Sequence, residues 1–429
     1  MYGEYPTKDI GWASQINPGP YSQRMAEPIL TIRPGNPDFL DLPWETSLKE
    51  WDLDHRVDLP KGISRHEVQF YQYPEGLFVV KELPTAPARN DYEILRRLQS
   101  RTVSAVTPVG LVVNRHQDRG AEQSAALITA WAEFTFSYRE LIAGAGFAGN
   151  RTRMLDAFAE LLVELHLAGC YWGDCSLSNV LYRWDAGTIE TIMVDAETST
   201  LRDDGNMSDG RRLEDIEIMK VNVAGGMADI AAESKKPIDE ADLFLGEEIA
   251  DVYYRLWDEL KGDEVIPANE QYRVQERIRR VNRLGFDVDE VDVIPVDGGS
   301  NLRLHLRVGG KTFHSNRLRE LTGIDALENQ ARQILSDLYH FQATEDIRTP
   351  TLKNVSSIKW RMSQFEPVME RIRETEGISD PLQAYCDVLH HRYVVSAEQG
   401  RDVETEEAFE DWLAKGRPGY PEEWTPPEV

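Results

Sequence analysis

The sequence predicts an α+β chain with a small antiparallel sheet, then a mainly helical unit, then a further α+β unit. Three observations carry this. Short apolar runs at strand period fill residues 51–83, helical spacing dominates after Tyr138, and a turn-rich, charged stretch near residues 260–270 precedes a new alternation of helix and strand. At 429 residues the chain also exceeds the size one hydrophobic core normally serves.

In chain order, residues 1–38 are rich in Gly and Pro (INPGPYSQ, TIRPGNPDF) and read as an arm with little regular structure. HRVDLP, EVQFYQYP and LFVVKEL follow as strands, separated by Lys61-Gly62 and by Pro74-Glu75-Gly76. NDYEILRRLQS, residues 90–100, places Tyr92, Leu95 and Leu98 on one helical face behind an Asn or Asp cap. VGLVV and ALITAW are further strands. RMLDAFAELLVELHLAG puts Leu155, Phe158, Leu162 and Leu165 in one stripe, as a buried helix requires. Beyond LKGDEVIPANEQ, the helix QYRVQERIRRVNRLG, the strand-like runs DEVDVIPV, LRLHLRV and KTFHS, and the helix LENQARQILSDLYHFQ build the last unit. The expected division is an arm (1–38), a sheet lobe (39–135), a helical lobe (136–262) and a C-terminal α+β unit (263–429).

Composition narrows the function classes. Against 74 Asp and Glu stand 47 Lys and Arg, a formal charge of -27 whose field repels nucleic acid and anionic membrane surfaces. No nucleic-acid partner is expected, no run approaches the roughly 18 apolar residues of a membrane span, and MYGEYPTKDIGW lacks the form of a signal peptide. Cys170, Cys175 and Cys386 form no CxxC pair, which fits a reducing compartment. A soluble, cytoplasmic protein is the expectation.

Chemistry concentrates in LHLAGCYWGDCSLSNVLYRWDAGTIETIMVDAETS, which reads as a helix end, a loop, the strand NVLYR, a turn at Asp185-Ala186-Gly187 and the strand TIMVD. Asp174 and Asn179 lie on the loop and Asp195 closes the second strand, so pairing the strands gathers all three at one end of a hairpin. Phosphoryl transfer needs such a set: one carboxylate to orient and deprotonate a hydroxyl, and hard oxygen ligands for magnesium.

The run Leu165-His166, Gly169, Gly173-Asp174, Asn179-Val180-Leu181 resembles the catalytic loop of the protein-kinase-like superfamily, without gaps. It is closer to the sugar, lipopolysaccharide and aminoglycoside kinases than to protein kinases. Trp172-Gly173 stands where protein kinases carry His-Arg, Ser176 where they carry Lys, and Asp195-Ala196-Glu197 where they carry Asp-Phe-Gly. From about residue 40 to about 415 the chain resembles a bacterial family that joins a lipopolysaccharide-kinase-like domain to a C-terminal domain of unknown function. The resemblance implies a bilobal protein-kinase-like fold with an added α+β domain.

It also implies site roles. Lys81 takes the place of the lysine that holds ATP phosphates, with Asp91 or Glu93 as its acidic partner. Asp174 is the base, and Asn179 and Asp195 are the metal ligands. Gly62, Ser64, Arg65 and His66 lie in the phosphate-loop position, which has one glycine where protein kinases have three, so that Ser64, Arg65 or His66 would contact phosphate through side chains. Ala130 to Glu133 face the adenine, and Ser176 is a further cofactor-binding residue. ATP and Mg2+ are the implied cofactors. The lack of an Arg before Asp174 argues against control by activation-loop phosphorylation.

Other polar features have plainer readings. His166, on an apolar stripe, is a buried structural residue, and Cys175 has no His to activate it. His390-His391 belong to helix surface and core. DVDEVDVIPVD lacks the turn glycine of a calcium loop and is a solvated strand. Arg277, Arg279, Arg280 and Arg283 read as a salt-bridged helix face, the alternative being capture of an anionic substrate or partner. The expected function is ATP- and magnesium-dependent transfer to a hydroxyl of a small-molecule, sugar or lipid-linked glycan acceptor. The alternatives are a nucleotide-binding pseudokinase-like sensor or scaffold, and AMP transfer.

Overall fold

The computed structural model describes residues 27–59, 65–116, 124–143, 147–203, 205, 207–234, 240–344 and 350–421. Most of the arm, together with Gly62 and Ser64 of the phosphate-loop position, lies outside these residues. The first lobe is an antiparallel sheet of β1 (Ile29–Ile32), β2 (Arg56–Val57), β3 (Glu67–Tyr73) and β4 (Gly76–Pro84), then β5 (Pro108–Val113) and β6 (Ser124–Ala130), with helix α1 (Thr85–Ser100) between β4 and β5. Its strand order is β1-β5-β6-β4-β3-β2. The arm therefore contains a strand, since Ile29 to Ile32 pair with Val113 to Gly110 along the open edge of β5.

Strands β5 and β6 are almost wholly buried because both faces of the sheet are covered, which explains their unbroken apolar runs. On one face Leu111, Val113, Ala125 and Leu127 meet Tyr92, Leu95 and Leu98 of α1. On the other, Val109, Val112, Ala126 and Ile128 meet Phe39, Leu42, Trp44, Leu48 and Trp51. A buried polar knot fastens that second cover. Glu82 Oε1 accepts from Arg115 at 2.8 Å and from Ser124 at 2.9 Å, and its Oε2 accepts from Ser47 and Leu48 N. The Arg115 guanidinium also donates to the carbonyls of Trp44 and Thr46 and lies over both indoles of Trp44 and Trp51. Removing one member strands a buried charge. Arg115→Ala should therefore cost about 3–5 kcal/mol of stability, read as a lowered urea midpoint at unchanged slope; a shift below about 1 kcal/mol would contradict this role.

Helix α1 starts right after Pro84, whose fixed φ ends the strand, so Asn90 and Asp91 are not caps but sit inside the helix. Asp91 is buried there, and Asn90 donates to the carbonyls of Glu197 and Ser199, each at 2.9 Å. Their polarity serves a tertiary contact, which a cap-based boundary misplaces.

The second lobe holds β7 (Thr135–Phe136), α2 (Tyr138–Ala143), α3 (Phe147–Leu167), β8 (Cys170–Tyr171), β9 (Val180–Asp185), β10 (Thr188–Met193), β11 (Thr200–Leu201), α4 (Asp209–Ser234), α5 (Glu240–Leu243) and α6 (Leu245–Lys261). The α3 stripe Leu155, Phe158, Leu162 and Leu165 is fully in the core. Strands β9 and β10 pair from Val180↔Met193 to Asp185↔Thr188 around Ala186 (φ 46°) and Gly187 (φ 84°), a tight turn that needs two left-handed residues.

Then come β12 (Glu264–Pro267), α7 (Tyr272–Arg283), β13 (Val288–Val296) and β14 (Asn301–Val308), followed by helices α8 (Phe313–Thr322), α9 (Glu328–Thr344), α10 (Pro350–Trp360), α11 (Glu366–Glu374), α12 (Pro381–Gln399) and α13 (Thr405–Ala414). One expectation is corrected. KTFHS opens helix α8, Glu328 accepting from the His314 and Ser315 backbone amides of its first turn. Strand β12 is an edge of the sheet β12-β14-β13. Leu260, Ile266, Val281, Leu304 and Leu306 share one hydrophobic cluster with α3, while α8 to α13 build another. Asp185, at the β9–β10 tip, accepts from Asn329 N at 3.0 Å and Gln330 N at 2.7 Å, so the hairpin caps α9.

Candidate active site

Lys81 sits in the middle of the sheet, on β4 opposite Val68 and Leu127, and its Nζ lies 3.2 Å from Asp91 and 2.7 Å from Asp195. Of the two acidic candidates on α1, Asp91 makes the contact; Glu93 points outward, 3.6 Å from Arg96. Burial alone would discharge Lys81, but the carboxylates of Asp91 and Asp195 hold its pKa above the ordinary ammonium value. This ion triad joins the two lobes.

Helix α1 fixes the segment after β10 from both sides. Asp91 Oδ1 accepts from Ala196 N at 3.0 Å, beside the Asn90 contacts. Trp172, fully buried and stacked on Phe158, donates from its indole to the Asp195 carbonyl at 3.1 Å. Asp195 Oδ1 accepts from Glu197 N at 3.0 Å.

Glu197 gathers the cations at the cleft mouth. Its carboxylate is 2.6 Å from Arg65, 3.0 Å from His66 Nε2 and 3.7 Å from Lys81. The His66 hydrogen bond, with Lys81 and Arg65 nearby, pulls its pKa down to about 2 despite burial. The clasp is therefore ionic at any pH above the ordinary Glu range and is lost only as pH falls toward about 2. Arg65 also reaches to 4.0 Å of Asp174, so one guanidinium spans Glu197 and Asp174.

On the loop, Gly173 adopts φ +80°, and a Cβ there would lie 3.1 Å from the Thr198 carbonyl, which is why glycine precedes Asp174. Asn179 Nδ2 donates to the Asp174 carbonyl at 3.0 Å and to its Oδ2 at 3.2 Å. With its amide hydrogens turned to Asp174, Asn179 offers its Oδ1 as a ligand. Val194 N bonds Asn179 O at 3.0 Å, so the β9–β10 ladder brings Asn179 beside Asp195. Among the described residues no cluster of three or more His, Cys, Asp or Glu could cage a metal. One carboxylate and one amide oxygen suit magnesium, which typically takes its other ligands from phosphate and water.

Other candidates fall further out. The Ser176 hydroxyl meets Ser178 at 3.0 Å. Ala130 N–H is committed to Thr107 O and Trp131 N–H to Leu77 O, and Glu133 is exposed. A cavity of about 450 Å³ is lined by Ala130 to Glu133, Ser104, Thr107 and Glu190, and its lining includes neither Lys81 nor Asp195.

Asp215, on α4, has no signal near the loop motif and was missed. It is fully buried and accepts from Trp172 N at 2.7 Å, Gly173 N at 2.8 Å and His166 Nε2 at 3.2 Å. His166, its second nitrogen on Tyr253 Oη at 2.8 Å, is thus a buried member of the scaffold. Cys175 is also fully buried, and burial raises its thiol pKa well above the usual value. His391 bonds Asp411 at 2.7 Å, and Arg277 and Arg280 are spent on Glu259 and Glu264.

A sheet lobe and a helical lobe joined by a lysine–carboxylate bridge, with an Asp–Asn loop below it, make this a kinase-like fold. Residues 76–232 match the model of the Lipopolysaccharide kinase (Kdo/WaaP) family, and residues 255–416 match the domain of unknown function DUF4032. This is the pairing that the sequence resembles. Among solved structures, "WaaP in complex with acyl carrier protein" is similar at 17% identity over 46% of this chain and 88% of that chain, with a TM-score of 0.31. No curated relative matches the chain. No helix among the described residues is long and apolar enough to cross a membrane.

Proposed function

We propose that the protein transfers the γ-phosphoryl group of ATP to a hydroxyl of a small-molecule, sugar or lipid-linked glycan acceptor. The observation that carries this reading is the convergence of Lys81, Asp195, Asn179 and Asp174 on one cleft. The match to the lipopolysaccharide kinase family supports it.

Lys81 and Arg65 would exchange carboxylate partners for phosphate oxygens, charge for charge, so nucleotide binding leaves neither cation unpaired. Asp174 would take the proton of the acceptor hydroxyl as its oxygen bonds to phosphorus and ADP departs. Asn179 and Asp195 would hold magnesium, which when bound offsets charge on the phosphate oxygens. The acceptor would enter beside Asp174, whose side chain is 38% exposed.

Purified protein incubated with ATP, Mg2+ and a metabolite extract, followed by mass spectrometry, tests the reading. A product heavier by one phosphate is expected. A gain of AMP would replace phosphoryl by nucleotidyl transfer, and nucleotide binding with no product would leave a sensor.

A further inference from the structure

Asp174 is held by two amides, not one, and the second comes from outside the loop. Asn222 on α4 donates from Nδ2 to Asp174 Oδ1 at 3.1 Å and to the Cys175 carbonyl at 3.2 Å. Asn179 serves the other oxygen, Oδ2. Asn222 lies seven residues after Asp215, two helical turns along the same face. That face lies under the loop throughout: Asp215 takes the amides of Trp172 and Gly173, Asn222 takes Asp174, and Leu177 packs 3.8 Å from a Cβ placed at Gly226. Ser176, inside the loop, makes no such contact with Asp174, its hydroxyl being turned to Ser178.

We infer that Asn222 is a positioning residue for the carboxylate of Asp174, fixing its rotation from α4. The inference rests on the reading of Asp174 as the base. Two donors, one on each oxygen, leave the carboxylate a single plane and direct its remaining lone pairs outward. Removing it should therefore misorient the base.

The test compares wild type with Asn222→Ala, Asn222→Asp and Asp174→Asn, measuring ATP turnover with Mg2+ on water as acceptor. For Asn222→Ala, kcat should fall about 10- to 100-fold with KM for ATP within about twofold. Asn222→Asp, which keeps the shape of the side chain but replaces the donor by an acceptor, should lose at least as much. A scaffold role alone would spare the isosteric Asn222→Asp variant, and kcat within about threefold of wild type in either Asn222 variant overturns the inference. Activity retained in Asp174→Asn would instead refute the base. Should the wild type turn over no ATP, melting temperatures of Asn222→Ala, of Asp174→Ala and of the Asn222→Ala/Asp174→Ala double variant decide. Non-additive shifts support the contact, and additive shifts overturn it.

Discussion

Asp174→Asn should abolish measurable phosphoryl transfer while ATP still binds. The amide keeps the shape of the carboxylate and one of its two oxygen acceptors, so the loop held by Asp215 and Trp172 stays in place. What it cannot do is take a proton. Loss of a positioned general base typically costs about 10²- to 10⁴-fold in rate. Lys81, Asp195 and Asn179 are untouched, so the dissociation constant for ATP by calorimetry should remain within about threefold of wild type. Undiminished turnover would remove Asp174 from the chemistry.

Asp195→Asn has the second-largest expected effect, and it falls on binding. Lys81 keeps Asp91 at 3.2 Å and Glu197 at 3.7 Å, so the ammonium remains paired and the lobes stay joined. A metal held by Asn179 and Asp195 would, however, lose its charged ligand. Nucleotide affinity in the presence of Mg2+ should fall by at least about 10- to 100-fold, while affinity in chelator should change little. Equal enhancement by Mg2+ in the variant and wild type would show that Asp195 serves only as the partner of Lys81.

Much of this site was legible because its parts are local. Asp174 and Asn179 share one loop, and Asp195 returns to them through a tight hairpin, so spacing and strand period suffice to bring them together. Lys81 was found from an apolar strand, but only the fold separates Asp91 from Glu93. The helix begins at Thr85, which turns Asp91 inward and Glu93 to solvent. The pieces that sequence could not show are long-range. Asp215 and Asn222 reach the loop across 42 to 48 residues from a helix with no motif of its own.

The same limit explains the errors in the fold. Ile29 to Ile32 lacks the length to declare itself a strand and becomes one only because β5 offers an open edge. KTFHS has strand-like alternation, yet Glu328, thirteen or fourteen residues on, bonds the amides of His314 and Ser315 and draws the segment into a helix. Arg115 gives no hint in sequence that it lies between two Trp rings at the centre of a buried network.

A structure of the protein with a non-hydrolysable ATP analogue and Mg2+ tests phosphoryl transfer most directly. Lys81 should leave Asp195 for the phosphates, a metal should join Asn179 Oδ1 and Asp195, and the γ-phosphate should face Asp174. An α-phosphate facing Asp174, or a cleft that keeps the Lys81–Asp195 contact with no nucleotide bound, would contradict it.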